Sequence, residues 1–138
     1  MLKINYSLIC HHLEEVPGQG INLIGVVEDY VSQDAPLSID QMTVILGAEL
    51  SGGTKAQVEL KLLLNGQTLY RTDPSLNRFT VQGNSQVIQS KNIPVNFGSI
   101  VLPEFGQYTL QVLVDGKIVH RNSFRLLRQV NPASYKLN

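Results

Sequence analysis

Two stretches of this sequence carry the same folding instruction. Gln107 to Arg121 reads QYTLQVLVDGKIVHR. Tyr108, Leu110, Val112 and Val114 alternate with Thr109, Gln111 and Leu113, the period of a strand with one buried face. Asp115-Gly116 then supplies the two positive-φ residues of a type I′ turn, so the chain must double back. Fifty residues earlier, Gln57 to Arg71 reads QVELKLLLNGQTLYR, with Asn65-Gly66 at the matching place. The pair predicts two equivalent hairpins, one in each of two sheets. Shared hairpin chemistry accounts for the match without a true internal repeat.

The remaining segments read the same way. Leu2, Ile4, Tyr6, Leu8 and Cys10 share one face of a first strand, and Lys3, Asn5, Ser7 and His11 the other. Pro17-Gly18 marks a turn. Ile21 to Val31 is rich in β-branched residues, which favours a strand with a bulge at Gly25. Ser32 to Asp40 reads as loop, and Met42 to Leu50 as a third strand. Pro94 cannot donate to a ladder, so the strand from Ile93 to Leu102 should lie at a sheet edge or start there. Seven to nine short antiparallel strands with no helical period predict an all-β, two-sheet sandwich. Tyr108, two residues after Gly106 at the start of the penultimate strand, stands where a tyrosine corner is expected.

At 138 residues the chain is sized for one domain. We assign residues 1–130 to the sandwich and 131–138, which contain Pro132 and no apolar period, to a flexible C-terminal tail. A single cysteine excludes an internal disulfide framework and fits a reducing cytoplasm. No apolar run reaches the roughly 20 residues of a membrane span, and the first residues lack a signal-peptide pattern. A cytoplasmic location without membrane contact is expected.

Asn22-Leu-Ile-Gly-Val-Val27 and Leu102-Pro-Glu-Phe-Gly-Gln-Tyr108, with Val114-Asp-Gly116 beyond, resemble a family of small bacterial immunoglobulin-like sandwich domains of uncharacterised function. The resemblance runs from about residue 4 to 127 and implies an immunoglobulin-like sandwich. It brings no catalytic residues, so none are carried over. Phe105-Gly106 stands where that family has Pro-Gly, a departure confined to the turn.

Net charge is zero, which argues against a polyanionic partner. Residues 1–50 nevertheless hold seven acids against Lys3, and residues 51–138 hold ten bases against four acids. Neighbouring strands can neutralise this asymmetry; left unneutralised, it makes a dipolar molecule that docks head to tail. Cys10-His11-His12 has ligand chemistry, yet adjacent strand residues face opposite ways, and a fourth ligand such as His120 must come from elsewhere. No metal or cofactor is expected. Arg121, Arg125 and Arg128 form a basic run without interleaved aromatics, which disfavours nucleic acid. No nucleophile elbow or phosphate loop is present, so no enzyme activity is expected.

Leu63 and Leu113 lie opposite their own core rows, with Thr68 and Ile118 as cross-strand neighbours. Together with the three arginines, Leu63, Leu113 and Ile118 are the candidate partner contacts. The resulting expectation is a non-enzymatic protein-interaction domain that binds another protein or itself. The alternatives are a structural component of a phage or secretion-type assembly, or a carbohydrate-binding module, which the absence of Trp disfavours.

Overall fold

The computed structural model describes residues 2–81, 83 and 86–130. The tail assigned to 131–138 lies outside them. Among the described residues ten strands follow in chain order: β1 (Leu2–Val16), β2 (Gly20–Val27), β3 (Tyr30–Ser32), β4 (Leu37–Ser51), β5 (Lys55–Leu64), β6 (Gln67–Arg71), β7 (Arg78–Thr80), β8 (Ile88–Leu102), β9 (Gly106–Val114) and β10 (Lys117–Arg128). The count exceeds seven to nine because Ile21 to Val31 is two strands. Asp29 breaks the run: its carboxylate accepts from the backbone N of Arg125 at 2.8 Å and from the guanidinium at 3.0 Å. These bonds turn the chain toward β10.

The strands form two sheets around one core. One has the order β2-β1-β4-β8; the other runs β3-β10-β9-β5-β6, with β7 also on β5. Every pair is antiparallel except β3 with β10. Val44, Leu46, Ala48, Ile93 and Val95 of the first sheet meet Leu60, Leu62, Leu110, Val112 and Phe124 of the second. Each such side chain, fully buried, contributes about 1.5–3 kcal/mol. Pro94 sits on β8, an edge strand, as its missing donor requires.

The two hairpins share one sheet rather than occupying one sheet each. β5 pairs with β9, setting Leu60 opposite Val112 and Leu62 opposite Leu110, so two leucine-rich rows form one continuous floor. Both turns have the predicted geometry, with Asn65 and Asp115 at φ 52° and 50°. The tyrosine corner is also formed. The Tyr108 hydroxyl donates to Glu104 O at 2.6 Å, and its ring stacks on Phe124 at 5.4 Å.

One irregularity in β1 redirects half of that strand. Ile4 pairs with Ala48 but Tyr6 pairs with Gly47, so Asn5 is an extra residue. A single inserted residue exchanges the two faces from that point on. Ser7 and Ile9 therefore face the core, and Tyr6, Leu8 and Cys10 face outward, the reverse of simple alternation. At Gly25, by contrast, the β1–β2 register runs on either side without an inserted residue.

Candidate interaction surface

The outer face of the four-stranded sheet follows from that bulge. Tyr6, Leu8 and Cys10 on β1 stand beside Gly47, Ile45 and Thr43 on β4, and Cys10 and His12 stand beside Val26 and Ile24 on β2. Pro94 continues the row onto β8, opposite Ile45. Tyr6, Leu8, Ile24 and Val26 are 43%, 37%, 48% and 52% exposed. Lys3 and Glu49 bound this face at one end and Glu14 at the other; Glu28, two residues past Val26 and beside Leu8, and Asp40 on β4 stand at its margins, and no charged side chain interrupts Tyr6, Leu8, Cys10, Val26 and Ile24. An apolar, charge-free centre with a charged border has the anatomy of a protein interface.

Tyr6 anchors the centre. Its ring lies flat across Gly47, where a Cβ would collide with it, and its hydroxyl donates to Asn92 Oδ1 on β8. Cys10, fully buried beside Val26, has its thiol pKa raised, chiefly by desolvation.

The same sheet extends into an arm. β1 leaves β4 after Cys10, where β4 is irregular between Ile39 and Thr43, while β1 and β2 stay paired out to Val16 and Gly20. The inner side of the arm places the His11 ring on bare Gly25 and edge-on to Tyr30 at 6.1 Å. A cleft of about 530 Å³ lies in this fork, bordered by His11, Tyr30, Leu37, Ile39, Asp40 and Gln41. The hydroxyl of Tyr30 is buried and has no hydrogen-bond partner among the described residues. Burial first, and Cys10 second, push its pKa up to about 12.

Ion pairing between the acidic and basic halves is sparse. Among the described residues, Asp29–Arg125 at 3.0 Å is the one pair that joins them. Lys61 and Arg71 both turn to Glu59, within their own half. Among the described residues, Glu14 and Glu15 on the arm, with Glu28, Asp34 and Asp40 near its base, form no salt bridge. Arg125 holds the Asp29 carboxyl below the usual carboxylate range, first by its side-chain hydrogen bond.

The residues singled out from sequence are scattered over the other sheet. Leu113 pairs with Ile118, whereas Leu63 lies four positions along the same face, opposite Thr68 and Thr109. Leu113 is only 6% exposed, covered between Ile118 and Glu59. Arg125 is engaged by Asp29, Arg128 lies over the Phe105 ring at 4.5 Å and donates to Gln33 O, and Arg121 has no ion-pair partner among the described residues. Cys10, His11 and His12 are split between two faces, and His120 pairs with Ser7 Oγ at 3.1 Å. Among the described residues no group of three His, Cys, Asp or Glu is placed to hold a metal ion. No helix among them is long and apolar enough to cross a membrane.

Sequence reasoning missed the outer face because it placed Tyr6 and Leu8 inside. A signal was present. Val44-Ile45-Leu46 is an unbroken apolar run, which marks a strand covered on both faces. Ile45 is accordingly 1% exposed although it points away from the core cluster.

A protein-family model described as a family of unknown function (DUF6941) matches residues 5–127. No curated protein matches the chain.

Proposed function

This chain belongs to that family of unknown function, and from that premise we propose a non-enzymatic, immunoglobulin-like sandwich that binds protein through the outer face of its four-stranded sheet. Three features support the immunoglobulin-like reading: the order β3-β10-β9-β5, the parallel β3–β10 pair, and the Tyr108 corner at the start of β9. The docking reading rests on one observation: Tyr6, Leu8, Ile24 and Val26 form a contiguous exposed apolar row, with charge only at its margins, Glu28 among it. Aromatic enrichment and charge depletion are what a desolvated interface centre selects for. Two of the three histidines have structural partners, His11 packing on Gly25 and Tyr30 and His120 hydrogen-bonding Ser7 Oγ, which favours interaction over catalysis. A free buried thiol at Cys10 is consistent with a reducing cytoplasm.

Oxidative footprinting tests the docking reading. The purified protein at high dilution is labelled in parallel with the same protein in extract of the cells that make it. Tyr6, Leu8, Ile24 and Val26 are expected to be protected in the extract, while Val87 and Ile88 label equally in both. Equal labelling of all six overturns the proposed surface.

A further inference from the structure

We infer that the occupant of this face is a second copy of the chain, docked face to face with its strands antiparallel to the first. The inference rests on the docking reading above and adds the identity and orientation of the partner.

Self-association by a two-fold axis brings each residue's surroundings against their own symmetry mate, so a patch with charge at its centre repels itself. Tyr6, Leu8, Cys10, Val26 and Ile24 carry no such penalty, and Glu28 lies outside them, past the end of the edge strand β2. Its two ends then select the orientation. Lys3 and Glu14 both point to the outer face, Lys3 opposite Glu49 and Glu14 opposite Asn22. An axis along the strands would stack Glu14 on Glu14. An axis across the strands sets Lys3 of each copy against Glu14 of the other, twice.

The register fixes where that axis falls. Lys3 pairs with Glu49 and Cys10 with Thr43, and Glu14 lies four residues beyond Cys10. Lys3 and Glu14 are therefore roughly ten strand positions apart, about 33 Å at 3.3 Å per residue. The midpoint is the level of Ile9. Leu8 of one copy then faces Cys10 of the other, and Tyr6 faces His12. Each arm, which its own sandwich leaves uncovered on the outer side, lies over the first half of the other copy's β1. Three to four strands spaced about 4.8 Å apart make the patch roughly 15 Å wide. That is about 500 Å² a side and about 1,000 Å² for the pair, the lower bound for a specific interface. The dimer is thus a reversible one, formed at high concentration. Among the described residues Lys3 forms no salt bridge, with its neighbour Glu49 or any other carboxylate, so it is available to Glu14.

Sedimentation velocity over a micromolar to millimolar series, read with native mass spectrometry, tests this on the full chain. A mass of two chains is expected at the high end. Leu8→Glu and Val26→Glu are expected to be monomeric. Lys3→Glu and Glu14→Lys should each weaken the dimer about three- to tenfold, and the double variant should return to within about twofold of the parent. The swaps sit on the exposed border and keep the test sound even where Leu8→Glu fails to fold. A monomer at every concentration overturns the second copy as occupant, as does a dimer whose affinity the double swap fails to restore. A monomer whose Tyr6–Val26 face is still protected in extract overturns this inference while leaving the docking reading in place. Loss of both signals removes both.

Discussion

The ring of Tyr6 lies across the bare backbone of Gly47, held there by a hydrogen bond from its hydroxyl to Asn92. Three strands are joined on the outside of the sheet by one side chain. An aromatic laid over a glycine in the neighbouring strand covers backbone that would otherwise face water.

Gly47→Ala is expected to expel the ring, because the added Cβ would overlap Tyr6 Cε1, Cζ and Cδ1. Gly47 has no positive φ, so the backbone itself accepts alanine. The cost is the lost ring packing and the Asn92 bond, about 1–2 kcal/mol. Urea denaturation of Gly47→Ala, Tyr6→Ala and the double variant checks it. The double variant should be no less stable than the worse single one, since both remove the same contact. Full additivity would refute the coupling.

Tyr108 connects the core to the loop before β9. Its hydroxyl donates to Glu104 O at 2.6 Å and accepts from Glu104 N at 3.2 Å, while the ring is fully buried against Phe124. Tyr108→Phe keeps the ring and removes both bonds, with an expected loss of about 1–2 kcal/mol. The loss should be accompanied by faster amide exchange at Glu104 in two-dimensional NMR. Unchanged exchange there would show that the hydroxyl does not hold the loop.

Asp29 gives an acid-side prediction with a definite sign. Its folded pKa lies below the unfolded value of about 3.9, chiefly because the Arg125 side chain donates to it. The stabilisation is therefore present above about pH 4 and is lost as pH falls through the lowered folded pKa. Asp29→Asn retains an oxygen for the Arg125 backbone N but loses the ion pair. Its stability deficit, measured by thermal melts at pH 7 and pH 2.5, should shrink at the lower pH. A constant deficit would point to packing instead of charge.

Local chemistry was legible in the sequence, and sheet assignment was not. Asn65-Gly66, Asp115-Gly116, Pro94 and Tyr108 each act through their own backbone or a near neighbour, so residue type alone placed them. Pairing of β5 with β9 depends on residues about fifty positions apart, and nothing local distinguishes one shared sheet from two. The bulge at Asn5 has no glycine to mark it, yet it exchanged the roles of Tyr6 and Ser7. The candidate surface was missed for that reason, while attention went to Leu63 and Leu113, which the fold separates. Apolar residues on both faces of β1, Ile4 and Ile9 against Tyr6 and Leu8, were the available clue.

Tyr30 yields the last prediction, on the alkaline side. The ring is wedged between His11 and Phe124, at 6.1 and 5.5 Å, with its hydroxyl buried and unpartnered among the described residues. A buried hydroxyl without a partner opposes folding, so Tyr30→Phe should stabilise the protein by about 1 kcal/mol at pH 8. Burial also pushes the phenol up to about 12, above the unfolded value near 10. Because the raised pKa favours the neutral form in the folded state, the associated stability is complete below about pH 10. It is lost as pH rises from there through 12. The advantage of Tyr30→Phe over the parent should accordingly widen between pH 9 and pH 11.5. Tyr108, also raised by burial, is common to both proteins and cancels in the comparison. Denaturant titrations at the three pH values measure it. A Tyr30→Phe protein less stable than the parent at pH 8 would mean that the hydroxyl contributes to folding, and the cleft beside His11 would then have to supply its acceptor.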